Sequence, residues 1–490
     1  MDLTKIFGNP VPPSLTKKAN KKFKRYAKKF GFNEADFPSL ALEKMPLGYD
    51  DFGIYSVVDK NKSGADTEVF DLDKGIILGT IRMGFGHCRM ALALASAAKS
   101  MGYKPYWMDL MSFPDTCASK TIKYLEDWYN VGSRLSQRWG FFNKHIWEYV
   151  TSNAAQPLTY SVTEQGFSRV LTPLYHDLPK EMPFMSTHPW TGHAAVEVGM
   201  KNVVTIIPDN FPMAFHIAEG TLHCVQSPSA YMGYRSLISM GAGMNLEYPM
   251  PKEDILLTGH YVDHEIVSNI EKDCDNRLRR LKDKKTRRLL LTMGGAGAQV
   301  LRFAQIAGYC KADIEDKRVS LFINMGDHKG RWEDLKKEFE RQGIKWQLHN
   351  DWTETRAFIA ESEEGEVSGV HVFLHKEFYA AVYATNLLMR ISDVMITKPS
   401  ELSFYPVPKL FIQRVGRHEA WGAIRGSEIG DGTIETDSSE ALCRTLKLLI
   451  RDDDLITLYC NHIIMNNKDG IYDGAYNSIR AALARAGRSL

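Results

Sequence analysis

Two stretches of the chain repeat one pattern: a short, continuously apolar run, a glycine-rich turn, an amphipathic run and a second apolar run. In the first, Gly75–Ile81 predicts a buried strand, Met83–Arg89 the turn, Met90–Met101 an Ala/Leu-rich helix closed at Gly102, and Pro105–Leu110 the next strand. The pattern returns as the strand Arg288–Met293, the turn Gly294–Gln299, the helix Val300–Tyr309 and the strand Val319–Asn324. Unbroken apolar runs suit strands covered on both faces, and strand–turn–helix–strand is the opening of a parallel, doubly wound sheet. Val203–Ile207 and Ile255–Leu257 add strands to the first sheet. The expectation is an α/β protein with two Rossmann-like domains, residues 71–270 and 271–475, the charged run Glu271–Arg288 serving as linker. Residues 476–490 are expected to form a helix that crosses back, and the acidic Glu361–Glu366 to be an inserted loop without chemistry.

Residues 1–70 read as an N-terminal extension, rich in Lys and Pro and then turn-like through Pro46–Asp51. Within it, Phe23, Tyr26, Ala27 and Phe30 recur at helical spacing. Lys17, Lys18, Lys21, Lys22, Lys24, Arg25, Lys28 and Lys29 cover the remaining face without an acid among them. Lys17–Phe30 is thus a basic amphipathic helix, with two readings: contact with a membrane surface, or an aromatic stripe docked on the protein's own body.

Length favours two domains, and a composition of 44% hydrophobic and 24% charged residues can bury a large core. The net charge of +2 gives no sign of a nucleic-acid partner. Seven cysteines without a C-x-x-C pair fit a reducing, cytoplasmic compartment. The first residues lack a signal-peptide core, and no apolar run is long enough to span a bilayer, so the expectation is a cytoplasmic protein, soluble or peripheral on a membrane.

A glycine turn between a buried strand and a helix lets the backbone approach a phosphate, which the unpaired N–H groups of the helix then hold. Gly84, Phe85 and Gly86 make the first such turn, and His87 closes it as general base or as a plain helix cap. Asp209 follows the strand Val203–Ile207 and is a second candidate base, with His216 nearby in sequence; a turn residue is its other reading. Gly294, Gly295, Gly297, Ala298 and Gln299 form the second turn. Val394–Glu401 runs a strand into Lys398, Pro399, Ser400 and Glu401. Lys398 suits a diphosphate and Glu401 suits ribose hydroxyls, although Pro399 could simply end the strand. His188, His193, His216 and His223 lack a metal-ligand spacing, and no metal or other cofactor is expected. The triplet Asp452–Asp454 reads as solvated surface. Trp107, Trp128, Tyr129, Trp139, Phe141, Phe142 and Trp147 make residues 105–150 aromatic, which suits core packing or an acceptor cleft.

With these residues in place, the chain resembles the inverting GT-B transferases that include monogalactosyldiacylglycerol synthases, processive diacylglycerol glucosyltransferases and the lipid-linked N-acetylglucosamine transferase of peptidoglycan synthesis. Gly84–His87 is similar to the family's early glycine loop, Val204–His216 and Cys224–Ser229 to its central segment, Met293–Gly297 to its second loop, and Ile396–Glu401 to its Thr-Lys segment before a nucleotide-contacting Glu. Residues 413–432 parallel its closing loop, and the resemblance runs in patches over residues 75–440.

The resemblance implies two domains facing across a cleft. It also implies metal-independent transfer, with inversion, from a nucleoside-diphosphate sugar, a uridine one first among candidates. The donor would lie on the C-terminal domain, and the acceptor hydroxyl, a lipid's among the candidates, on the N-terminal one. His87 or Asp209 would take the acceptor's proton. The alternatives are a nucleotide-sugar 2-epimerase-like enzyme and a non-catalytic module that binds a nucleotide or a membrane.

Overall fold

The structure, a computed structural model, describes residues 3–45, 53–64, 66–82, 85–138, 154–294, 297, 299–414 and 416–488; of 129–138 it describes the helical backbone alone. The turn Pro46–Asp51 and the side chains of Tyr129, Trp139, Phe141, Phe142 and Trp147 lie outside the described residues. The chain divides into two units. One comprises residues 1–264 with 416–418 and 473–490, the other residues 265–415 with 419–472.

The first unit opens on a small hairpin, β1 (Lys5–Ile6) with β2 (Asn9–Pro10), and then builds an eight-stranded sheet. Its strands are β3 (Leu40–Lys44), β4 (Tyr55–Asp59), β5 (Gly75–Thr80), β6 (Lys104–Asp109), β7 (Phe184–Ser186), β8 (Val203–Ile206), β9 (Leu222–Val225) and β10 (Ile255–Leu257). They lie in the order β10-β9-β8-β7-β5-β6-β4-β3, parallel throughout except for the antiparallel β3–β4 pair at one edge. All six residues of β5 are buried, as a central strand covered on both faces requires. Gly79 permits this packing, because a Cβ there would sit 2.3 Å from the Phe184 ring of the neighbouring strand.

Residues 1–70, expected to be an irregular extension, are instead built into this unit: β3 and β4 extend the sheet, and α1 (Pro13–Phe30) packs on its helical layer. The helix starts with Pro13 at its first position and stops at Gly31, whose φ of +70° is the left-handed cap geometry glycine adopts freely. Tyr26 meets Phe167 at 5.0 Å between ring centroids, and Phe23, Ala27 and Phe30 pack on the same core. Lys22 leaves the solvent face to pair with the buried carboxylate of Glu164. Lys17, Lys18, Lys21, Lys24, Arg25, Lys28 and Lys29 remain exposed. The aromatic stripe is thus consumed inside the protein, while the basic face is not.

The second unit holds a wholly parallel sheet of six strands: β11 (Arg287–Thr292), β12 (Val319–Gly326), β13 (Gln347–His349), β14 (Gly369–Leu374), β15 (Val394–Thr397) and β16 (Lys409–Phe411). Their order is β13-β14-β12-β11-β15-β16. Two expectations fail here. The charged run after Glu271 is no linker but the helix Ile270–Lys282, in which the fully buried Arg277 donates to the carbonyls of Ser392 and Met389 and Arg280 pairs with the buried Asp393. Glu361–Glu364 likewise close the helix Trp352–Glu364, which buries Thr355, Ile359 and Ser362 on one face and leaves the acids to solvent and to basic partners.

The C-terminal helix Gly474–Arg485 returns to the first unit, where the Gly474 N–H donates to the His260 carbonyl and Asn477 Nδ2 to that of Thr258. Gly474 has no room for a side chain, since a Cβ would lie 2.1 Å from the Gly259 carbonyl oxygen.

The seating of α1 depends on one close approach, at which a Cβ on Gly166 would stand 2.7 Å from Ala19 Cβ. Gly166→Ala is expected to destabilise the chain by about 1–3 kcal/mol through overpacking, measured as a lowered urea midpoint. An unchanged midpoint would mean that α1 is not seated against that helix.

Candidate functional site

In the first sheet β5 is flanked by β6, which follows it, and by β7, from which the chain winds in the opposite direction. Such a reversal leaves a crevice at the carboxyl ends of the strands, because the helices after the two neighbours pack on opposite faces. Helix α2 (Gly86–Ser100) starts there, with Gly86 as its first residue and the buried Phe85 at its cap position. It has no acid in its first turn and no side-chain cap, so no side chain of its own end takes up its first N–H groups or offsets its positive dipole end. Gly84 lies outside the described residues.

His87 sits in the first turn of α2 with its Nδ1 2.6 Å from the carbonyl oxygen of Thr187, the residue after β7. A carbonyl only accepts, so Nδ1 carries the proton and Nε2 keeps its lone pair. Burial pushes the imidazole down to about 4, against the raising effect of the Thr187 hydrogen bond, so it is neutral at pH 7. Asp209 emerges three residues beyond β8, and its Oδ2 is 3.2 Å from Nε2 of the buried His216, in the short turn Ala214–His216. Burial favours the protonated carboxyl, but the imidazoles of His216 and His418 outweigh it and hold Asp209 at about 2, hence anionic.

Rings connect these groups. His87 meets His188 at 4.7 Å, His188 meets Phe215 at 5.5 Å, and Phe215 meets His216 at 5.1 Å. The first unit therefore gathers His87, Asp209 and His216 at its switch point, together with His188, which the sequence presented only as a metal candidate. Position could have identified it: His188 is the second residue beyond β7, as Asp209 stands just beyond β8. His193 is buried within the helix Pro189–Glu197, and His223 bridges the Ala218 N–H and the Asp254 carbonyl. Among the described residues no group of three or more His, Cys, Asp or Glu could hold a metal ion. Trp107 is buried in β6, as core packing requires, whereas Trp128 is exposed.

The second unit repeats the arrangement. β11 lies between β12 and β15, again where the winding reverses, and the glycine turn follows it directly. Gly297 closes a tight turn by donating its N–H to the Gly294 carbonyl, with φ at +63°. Gln299, at φ +84°, leads into the helix Val300–Glu315, which has no side-chain cap and no acid in its first turn. Gly295 and Ala298 lie outside the described residues. A Cβ on Gly294 would stand 3.2 Å from Lys398 Cε, so the glycine admits the lysine against the turn.

Lys398 directly follows β15, whose last residue Thr397 bonds Thr292 at the end of β11, and its ammonium pairs with Glu419. Pro399 packs towards Gly422, Ser400 accepts from the Ser403 N–H, and Glu401 opens the short helical turn Glu401–Phe404. Two residues join this group that the sequence reading missed. His328 Nε2 is 3.1 Å from the Gly294 carbonyl, and Arg331 Cγ is 3.1 Å from a Cβ on Gly297. Their signal was the step Gly326-Asp327-His328, which leaves the strand beside the glycine turn.

Burial holds His87, His223, His371 and His375 at about 4 and His193 at about 3. An unfolded histidine titrates near 6.5. Above that pH both states are neutral; between about 6.5 and 4 the unfolded chain binds protons that the folded chain refuses, so stability falls as pH falls. Each such histidine contributes about 1.4 kcal/mol per pH unit in its window. Asp109, which burial pushes up to about 6, opposes them, as do Asp254, Asp273 and Asp431, which burial also raises, while His188, His328 and His349, lowered by burial, add to the histidines. The urea midpoint is expected to be flat from pH 8 to 7 and to drop steeply from pH 6 to 4.5; a flat profile across both ranges would contradict the burial of these imidazoles.

Residues 5–236 match the family model described as domain of unknown function DUF6937, and residues 250–483 match domain of unknown function DUF6938. No curated protein matches the chain. Among solved structures, the chain is similar to a UDP-GlcNAc 2-epimerase from Neisseria meningitidis bound to UDP-GlcNAc, at 11% identity and TM-score 0.44 over 84% of this chain and all of that one. It is also similar to the α,α-trehalose 6-phosphate synthase of Burkholderia multivorans, at 11% identity and TM-score 0.43 over 86% of this chain and 99% of that one. A third is the HepE protein of Anabaena in complex with UDP and glucose, at 11% identity and TM-score 0.41 over 84% and 99%.

Proposed function

We propose that this chain is a GT-B glycosyltransferase that moves a sugar, with inversion and without a metal, from a nucleoside diphosphate, uridine diphosphate first, to an acceptor hydroxyl. One observation carries the reading. Each sheet's central strand leads at its switch point to an uncapped helix N-terminus, the second by way of the tight Gly294–Gly297 turn, and the first of these helices presents a neutral imidazole in its opening turn. An uncapped N-terminus suits a phosphate, whose charge replaces the missing cap. The resemblance of residues 204–229 and 396–401 to the lipid glycosyltransferases supports the same reading.

In this reading the Gly294–Gln299 turn holds the diphosphate, Lys398 exchanges Glu419 for a phosphate oxygen as the leaving group gains charge, and Glu401 takes the ribose. His87 is the base. Its Nε2 is free to accept a proton, and at about 4 it is the stronger base of the two candidates, with Asp209 at about 2. Asp209, anionic beside His216, then stabilises the imidazolium that forms. The acceptor's proton passes to Nε2 as its oxygen attacks the anomeric carbon, while the bond to the diphosphate oxygen breaks and that oxygen takes up the electron pair.

A lipid acceptor accords with the resemblance, and α1 offers the matching surface. Its seven exposed cations, about 1 kcal/mol each near an anionic leaflet, would adsorb the protein electrostatically, and its buried aromatic stripe leaves nothing to insert. Among the described residues no helix is long and apolar enough to cross a membrane.

Thermal unfolding against a panel of nucleoside diphosphates and their sugars tests the donor. At 100-fold its dissociation constant, the true donor adds about 2.7 kcal/mol of stability, and Lys398→Ala is expected to weaken UDP binding about tenfold or more. If no nucleotide raises the melting temperature, the reading fails. His87→Ala is expected to keep the UDP-induced shift and to lower transfer by about 10²–10⁴-fold, and the wild-type kcat/KM should fall on the acid side through an apparent pKa near 4. Epimerised sugar formed with no acceptor present would replace transfer with 2-epimerisation.

A further inference from the structure

We infer that His188 is a second functional imidazole of the first unit, one that donates a hydrogen bond to a substrate hydroxyl where His87 accepts one; the inference rests on the transfer reading above. The sequence offers His188 only as a poor metal candidate, and the transfer reading gives it no role.

His188 is the N-cap of the helix Pro189–Glu197, and its Nδ1 accepts the Trp190 backbone N–H at 3.3 Å. An imidazole nitrogen that accepts bears no hydrogen, so in the neutral ring the proton sits on Nε2. His188 is 3% exposed and burial holds it well below the ordinary histidine range, so the ring is neutral. Among the described residues Nε2 meets no hydrogen-bond acceptor. Nε2 is not among the fully buried polar atoms that lack a partner, so its N–H keeps access to water, which a substrate oxygen can replace.

Its neighbour has the opposite tautomer. His87 spends its Nδ1–H on the Thr187 carbonyl, and His188 is the next residue, so one short segment fixes both rings. The rings stand 4.7 Å apart at 66°, one offering a lone pair and the other an N–H. A sugar hydroxyl is donor and acceptor at once, and the pair matches it. The His188 ring is itself held: it packs at 4.7 Å on Trp190, whose indole N–H donates to the buried Glu164 carboxylate at 2.8 Å. Glu164 in turn pairs with Lys22 of α1.

The test separates the two roles of His188. Asn is a good N-cap but cannot reproduce the remote Nε2–H, so His188→Asn in the full chain should keep the melting temperature and UDP affinity of the wild type. It should also lower UDP release from a panel of UDP-glucose, UDP-galactose and UDP-N-acetylglucosamine, assayed with n-octyl glucoside as acceptor, by on the order of 10²-fold in kcat. His188→Ala, which loses the cap as well, should lower the melting temperature too. Proton-detected nitrogen spectra of the imidazoles should show His87 protonated at Nδ1 and His188 at Nε2. Wild-type kcat in His188→Asn, or a proton on His188 Nδ1, would overturn the inference while leaving the transfer reading intact. A wild-type chain that binds none of these donors and releases no UDP would overturn the transfer reading and the substrate role of His188 with it, while the spectra still decide the tautomers.

Discussion

A central parallel strand is closed on both faces and both edges, so only its end can meet a ligand. Everything chemical in this protein follows from that restriction. β5 and β11 are buried along their whole length, and each leads at its carboxyl end to a helix N-terminus. The winding reverses at both strands, so the layers that would otherwise cover those ends part instead. The helix N-termini bring unpaired N–H groups, and the neighbouring strands bring side chains: Thr187 and His188 after β7, Asp209 after β8, His328 after β12 and Lys398 after β15.

Burial then decides the protonation of what the strands deliver. The imidazoles of His87 and His188 are kept neutral because a charge there would be stripped of water. Asp209 stays anionic because His216 lies beside it. An acceptor, a donor and an anion thus stand together without any group being charged by default at the wrong pH. The cost is borne by the fold, which holds several histidines below their solution range.

How much of this was legible in the sequence follows from the same physics. The central strands were readable because burial on both faces demands unbroken apolar runs, and Gly75–Ile81 and Arg288–Met293 are such runs. β3 and β4 were not: at the sheet edge Glu43, Lys44, Ser56 and Asp59 interrupt the pattern, since an edge strand may show polar residues to water. The helix Ile270–Lys282 passed for a linker because its contacts come from arginines, Arg277 and Arg280, whose burial depends on carbonyls and an aspartate far away in sequence. His87, Asp209 and Lys398 could be singled out because each ends a legible strand. His188 was passed over although it stands second beyond a strand, because β7 is only three residues long and its histidine looks like a helix cap, which it also is.

The claim on which the account turns is that the second unit's glycine turn receives a diphosphate. Crystals of the full chain grown with UDP test it most directly. Density for the two phosphates is expected against the backbone N–H groups between Gly297 and Val300, with the Lys398 ammonium swung from Glu419 to a phosphate oxygen. UDP bound away from that turn, with the Lys398–Glu419 pair intact, would contradict it.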